Sequence, residues 1–448
     1  MSKSSLPVRS GLAQESLSLS LFYARATLQR LARGWRRWVL SILLIAFILT
    51  SLPGDHIPPD ERFKYQVRTL TGPYEFSLWA WEARGLAQKA WETVADPSDD
   101  IPPGERARIV REYVAAARRI GALEGRIERI YADSSVVDPD AATAPLRSEI
   151  ARLRELQRGR RPIAEAILQA QISAVLREEG LTLLGQVWPP VKFSFAEPPY
   201  YLIISPRARI ELYMGVYLQP DLPLNQHVLL ESQVESLDNV SALVEGVGGF
   251  GAYPTMVIDR ASLDWILNTI AHEWTHNYLA FHPLGWHYYD SNDTVTLNET
   301  VASIVGDEVG AKALARFYPD LVPPERTPPS QKRPVEPPEF DFGQEMRATR
   351  LAVDALLAKG YIDEAEAFME ARRRRFLSYG YAIRRLNQAY FAFHGSYATS
   401  PGAVDPIGPK LIRLRELSPS LAAFLRSVAR ITSVAELDAM LEAHGAAP

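Results

Sequence analysis

The chain contains no cysteine. That excludes disulfides, thiolate metal sites and cysteine nucleophiles together, so any metal here is held by imidazole and carboxylate. It leaves the redox compartment open, because a chain without thiols suits either side of a membrane. An excess of one charge is also missing: 49 Lys and Arg stand against 53 Asp and Glu over 448 residues, a net −4. That balance gives no reason to expect a nucleic-acid partner. Long apolar runs are scarce, and there are only 6 methionines. What remains, 47% hydrophobic and 23% charged residues, is a globular composition. The length exceeds one ordinary core, so about two or three regions are expected around a central unit.

The main uncharged apolar run is "VLSILLIAFILTSL", Val39 to Leu52, with Trp38 at its leading edge. Arg25, Arg30, Arg33, Arg36 and Arg37 precede it, with Glu15 the only acid. Basic residues on one flank stay on the cytoplasmic side, which places the bulk of the chain outside. As a helix the run spans about 21 Å, short of a roughly 30 Å hydrocarbon layer. No small-x-small cleavage site follows, so the expectation is an uncleaved signal-anchor over 39–52, its short span extended by snorkelling arginines. Residues 1–38 would then be a basic cytoplasmic segment, the membrane a partner, and the bulk of the chain extracytoplasmic.

Residues 78–185 carry apolar positions at three- and four-residue steps (Ile120, Leu123, Ile127, Ile130; Ile163, Ile167) and read as helical. Breaks at 96–105 and 134–145 divide them into about three helices. After Pro189–Pro190 the character changes. "VKFSF" (191–195), "YYLIIS" (200–205) and "ARIELYMGVYL" (208–218) are β-branched and aromatic and read as strands, as do 241–247 and 252–258. Asp259 to Phe281 reads as helix, with Asp259, Ser262 or Asp264 as its cap, and a second helix is expected from about Asn298 to Phe317. Residues 319–338 are a proline-rich loop, and 342–448 are helical again. The fold class expected is α+β, with a mixed sheet and paired helices over 190–318 between two helical regions.

Within the first of those paired helices lies "AHEWTHNYLAFH", Ala271 to His282. His272 and His276 are four apart and share one helix face, so both imidazoles can reach one zinc ion. Glu273 beside the first histidine is placed to take a proton from a water that such an ion has acidified. His282 completes a spacing that needs glycine at the position of Leu279, because the chain must turn sharply there. Leucine prolongs the helix instead and carries His282 about 9 Å onward and off the shared face. No methionine follows within the next sixty residues to form a Met-turn. His282 is rejected as a ligand.

Further on comes "LNETVASIVGDE" (297–308), with Asn298 and Glu299 in the first turn of the expected second helix. Here the sequence resembles the gluzincin metallopeptidases, at fold level over 190–318 and at motif level over about 269–303. The resemblance implies a zincin-like fold, a zinc ion held by His272, His276 and Glu299, and Glu273 as general base for hydrolysis of a peptide or protein substrate. It also implies an aspartate four residues past the ligand glutamate to orient the first histidine. Ser303 stands there instead, which leaves Asp307 or Asp290 for that role. The family's substrate-pairing edge strand corresponds to "GVGGFGAYPTMVI" (246–258), with Gly249, Gly251, Ala252 and Tyr253 as substrate-binding positions. That strand has no glutamate, which tilts the reading away from the aminopeptidase subclass. A Tyr or His oxyanion donor is implied from the C-terminal helical part, where Tyr390 and His394 share one face of a helix, with Tyr397 as a further candidate. His287, Tyr288 and Tyr289 either line the pocket or pack as loop aromatics. The rival expectation is a zincin-fold interaction protein in which metal is structural and the helical regions bind a partner.

Overall fold

The computed structural model describes residues 61–83, 85, 101–132, 135–322, 340–395 and 406–445. The chain divides into two units, residues 1–65 and 66–448. Of the first only 61–65 are described, and everything below belongs to the second. That unit is α+β, mostly helical with small sheets.

After shorter helical stretches at 66–71 and 78–83 come two long helices, α1 (Pro103–Ala132) and α2 (Pro139–Glu178). The break between them is shorter than the sequence suggested. Asp138 caps α2 by accepting from the Ala141 amide at 2.9 Å, and Pro139 sits at the first turn, where its missing N–H costs nothing. Ile120, Leu123 and Ile150 form a small apolar contact between the two helices. Nearer its end α2 buries Ile167, Leu168 and Ile172 in the main core, each worth about 2 kcal/mol. Buried Glu165 accepts from the Phe195 amide at 2.8 Å and so ties α2 to the strand β3.

Three small sheets follow. β1 (Thr182–Leu183) and β2 (Gln186–Val187) make a hairpin through Leu184 and Gly185, at φ +51° and +79°. β4 (Tyr200–Pro206) lies between β5 (Met214–Leu218) and β6 (Val240–Gly246), antiparallel to both. The expected strand over 208–218 is thus confined to its second half. β3 (Phe193–Phe195) pairs in parallel with β8 (Thr255–Val257), which pairs antiparallel with the edge strand β7 (Gly249–Phe250). The outer edge of β6 is sealed by side chains. Glu235 and Glu231 of α3 (Leu224–Glu235) accept from the amides of Ala242 and Val244, while Asn387 and Arg384 donate to the carbonyls of the same two residues.

α4 (Leu263–Leu279) packs along α6 (Asn292–Phe317), with the short α5 (Pro283–Trp286) between them. α6 begins earlier than the sequence suggested. Ser291 and Thr294 form a reciprocal capping box ahead of the apolar run, so Glu299 lies in the second turn rather than the first. Ser262 does precede α4, but its side chain caps nothing. The C-terminal part is helical as expected. α7 (Phe342–Leu357) and α8 (Ile362–Ser378) close a core around Met346, Met369 and Phe376, joined by Phe391 of α9 (Gln388–His394). Arg374 and Arg375 pair with Glu370 and Glu345 on a solvated face, whereas Arg372 is half-buried, lies over the Phe376 ring and donates to Thr349 at 2.8 Å. α10 (Ile407–Leu417), α11 (Leu421–Val428) and α12 (Val434–Ala443) join the main core with Leu411, Phe424 and Leu437. Of the proline-rich stretch only 319–322 is described.

The membrane anchor and the sidedness read from it are corrected. Among the described residues no helix is long and apolar enough to cross a membrane. The two longest, α1 and α2, carry arginine and glutamate throughout. Residues 1–38 and 39–52, on which the transmembrane reading rested, lie outside the described residues.

Candidate metal centre

One face of α4 is core: Leu267, Ile270, Ala271 and Trp274 are buried. The other presents Thr269, His272, Glu273 and His276 to two adjoining cavities. α6 meets this face with Glu299, Ser303, Gly306 and Gly310, which recur at three- and four-residue steps and so share a stripe. The glycines set the approach. A Cβ on Gly306 would stand 2.9 Å from the Asn268 carbonyl and 3.0 Å from Cβ of His272, and one on Gly310 would overlap Asn268. Without side chains at these positions the two helices close together, and Glu299, two turns earlier, comes onto the histidine pair.

The three groups converge. His272 Nε2 and His276 Nε2 are 3.1 Å apart, and Glu299 Oε2 lies 3.5 and 3.6 Å from them. A tetrahedral ion with bonds of about 2.0–2.1 Å separates its donors by about 3.3–3.4 Å. Glu299 Oε2 is buried with no hydrogen-bond partner of its own, an expensive condition unless a cation sits among the three atoms. Its other oxygen is taken, because the Tyr288 hydroxyl donates to Oε1 at 2.6 Å. His276 Nδ1 donates to Asn298 Oδ1 at 2.8 Å, and Asn298 Nδ2 donates to the Leu284 carbonyl at 3.3 Å. That chain fixes the amide, hence the imidazole tautomer, and leaves the Nε2 lone pair facing inward. The group formed by His272, His276 and Glu299 could therefore hold a metal ion.

Electrostatics agree. Burial opposes the charged form of His276, but the Glu299 carboxylate overrides it and pushes the imidazole up to about 9. Burial likewise opposes ionisation of Glu299, yet the two histidines hold it well below the usual carboxylate range. The pocket favours one positive charge among its three donors. Glu273 is pushed the other way: burial raises it above the ordinary glutamate value, and His272 and His276 only partly offset this.

The remaining predicted residues divide. Gly249 and Gly251 do line the cleft, but what approaches them is Glu273: a Cβ on Gly249 would overlap its carboxylate, and one on Gly251 would stand 3.4 Å from Oε2. Ala252 and Tyr253 turn away. The Ala252 carbonyl accepts from Asn277 at 3.3 Å, and the Tyr253 hydroxyl donates to the Pro190 carbonyl at 3.2 Å. Ser303 spends its hydroxyl on the Glu299 carbonyl at 2.9 Å, and Asp290 pairs with His287 at the surface. Asp307 accepts from Asn268 at 3.2 Å and borders the cavity beside His272 without bonding to it. Tyr390 and His394 do not line the cleft; Tyr390 packs against core aromatics, and from the same helix Ala392 and Phe393 border the cavity instead. Tyr397, a further oxyanion candidate, lies outside the described residues. His282 is outside the cluster as argued, stacked on Tyr278 with its Nδ1 2.8 Å from the Tyr278 carbonyl.

Sequence reasoning left the role of Tyr288 open and missed the glycine stripe on α6. The stripe was visible as "GDEVG" (306–310), two glycines four apart, the spacing of close helix contact. Compared with known proteins, the chain matches no family model, no curated protein and no solved structure.

Proposed function

We propose that this chain is a zinc-dependent metallopeptidase of gluzincin type, with a zincin-like arrangement of α4, α6 and the small sheets around the site. The observation that carries the reading is the buried, partnerless Oε2 of Glu299 facing the Nε2 atoms of His272 and His276. Two imidazoles and one carboxylate without thiolate are a zinc-type donor set with room for a further ligand. When bound, zinc supplies a Lewis acid that makes water nucleophilic near neutral pH and draws charge from a carbonyl oxygen. Glu273 takes the proton from water on a carboxylate oxygen and delivers it to the departing amide nitrogen. Asn298 holds the proton on Nδ1 of His276, and Tyr288 holds Oε1 of Glu299, so each ligand meets the ion through one defined atom. Gly249 leaves the space that Glu273 occupies. The cavity of about 560 Å³ lined by Tyr201, Tyr217, Phe250 and Phe393 shields the site and receives an apolar part of a peptide.

Purified protein is assayed for bound metal and for cleavage of a mixed peptide library, with and without chelator. About one zinc per chain and chelator-sensitive cleavage are expected. Glu273→Gln should keep the metal and lose cleavage. A variant that cleaves at the parent rate sinks the peptidase reading, and bound metal without any cleavage leaves the interaction-protein alternative.

A further inference from the structure

Two cavities meet at His272 and Glu273, and they differ in kind. The larger is walled by aromatic rings. The smaller, about 320 Å³, is bounded by the Gly246–Gly249 backbone, Trp265, Asn268 and Asp307. Apart from His272, its charged lining groups are the carboxylates Asp307 and Glu273, and no lysine or arginine lines it among the described residues. Asp307 is exposed to this cavity, accepts one hydrogen bond from Asn268, and has no ion-pair partner among the described residues. The adjacent Glu308 on the same helix shows the contrast: Lys312 and Arg415 hold it at 2.8 and 2.9 Å. One acid is neutralised by the protein and its neighbour is left to the cavity. Glu273, only 7% exposed, borders the same space and has no hydrogen bond or ion pair among the described residues. Trp265 adds an indole, the side-chain ring that best accepts a cation, seated so close that a Cβ on Gly248 would meet it at 2.5 Å.

We propose that this smaller cavity is a cation subsite, in which Asp307 and Trp265 receive a positively charged group of the substrate next to the bond that is cut. The assignment rests on the peptidase reading above for what the substrate is, and on the cavity alone for what it binds. The charged group is an ammonium or guanidinium, carried either by a basic side chain or by a free amino terminus. A carboxylate beside Asp307 meets a like charge and no lysine or arginine, so an acidic residue is disfavoured there.

Three short peptide amides distinguish the sources: one acetylated with a single lysine, one with a free amino terminus and no basic side chain, and one acetylated and neutral throughout. Their equilibrium binding to the full chain is measured by calorimetry, which needs no turnover, and cleavage is measured beside it. At least one cationic peptide should bind about 5–10-fold more tightly than the neutral one, and the lead should fall as salt rises. Asp307→Asn, which keeps the shape and the Asn268 contact, should bring the ratio close to one, and Asp307→Lys should invert it in favour of a glutamate peptide. Equal binding of all three peptides, or a preference that survives Asp307→Asn, overturns the subsite. Preferential binding without any cleavage leaves the subsite standing and counts against the peptidase reading instead.

Discussion

Two helices of this protein carry polar aromatic pairs four residues apart, His272 with His276 on α4 and Tyr390 with His394 on α9. In sequence the pairs look alike, each a polar stripe among apolar and aromatic residues. In the fold they have opposite surroundings. The first faces a buried carboxylate, and His276 is pushed up to about 9. The second lies among Phe391, Phe393 and the sheet, and burial alone pushes His394 down to about 4. A helical pair becomes a site only when another element delivers the complementary charge. On α4 that element is α6, admitted by Gly306 and Gly310; on α9 burial is the one cause acting on His394.

The largest break in this comparison removes that charge. Glu299→Ala should abolish stoichiometric metal binding, measured on dialysed protein, because it deletes one of three donors and leaves the histidines facing each other. Tyr390→Phe should leave the metal in place. If Glu299→Ala keeps its metal and Tyr390→Phe loses it, the assignment of the two helices is reversed.

The second prediction concerns how α9 is held against the sheet. Glu231 is fully buried, and both Arg384 and Arg385 bind it just ahead of α9. Burial opposes its ionisation, but the Arg384 hydrogen bond, the Val244 amide and both guanidinium charges hold its pKa below the ordinary value. A depressed carboxylate contributes stability that is present above the unfolded pKa and lost as pH falls through the folded one. Glu231→Gln should destabilise by about 3 kcal/mol at pH 7, since it removes the buried carboxylate shared by Arg384 and Arg385, leaves Arg385 with Glu235 alone and weakens the seal on β6. It should also flatten the acid limb of the stability curve. An unchanged denaturation midpoint would show that the pair contributes nothing.

Gly249→Ala is the next test, and it acts on the α4 side. The added methyl overlaps the Glu273 carboxylate, and a displacement of about 1 Å at a proton-transfer group costs about 10²-fold in turnover. Metal content should be unchanged, because His272, His276 and Glu299 are untouched. Parent turnover in this variant would mean that Glu273 has room to move.

How much of this was legible follows from how local each feature is. The histidine pair and Glu273 needed only the helical period, and the rejection of His282 needed only the absence of glycine at 279. Strand β4 and helices α4 and α6 announced themselves by composition, although the start of α6 was misplaced because Ser291 and Thr294 were not recognised as a capping box. Ala252 and Tyr253 were assigned to substrate on the assumption of a continuous edge strand; the strand breaks after Phe250, and both residues turn away from the cleft. Whether a helix face meets a cleft or a core depends on partners far away in sequence, which is why α9 was read as a cleft wall. Phe393, not Tyr390 or His394, is the side chain that reaches the cavity.

The smallest expected effect tests that last point on His394. An unfolded histidine titrates near 6.5, whereas burial pushes the folded His394 down to about 4. Between those values the unfolded chain takes up a proton that the folded chain refuses, so this residue favours the folded state fully above about 6.5 and loses that advantage as pH falls towards about 4. At pH 5 the loss relative to pH 7 is about 2 kcal/mol, at 1.36 kcal/mol per unit. His394→Gln, which cannot titrate, should remove that part of the slope between pH 7 and pH 5, read from denaturant midpoints at each pH. Turnover per folded molecule should stay within about two-fold of the parent, because the imidazole does not border the cleft. A cleft-facing oxyanion donor would behave otherwise, with turnover falling by about 10²–10³-fold at constant stability. That outcome would place the polar face of α9 at the reacting carbonyl and make the two helical pairs parts of one site.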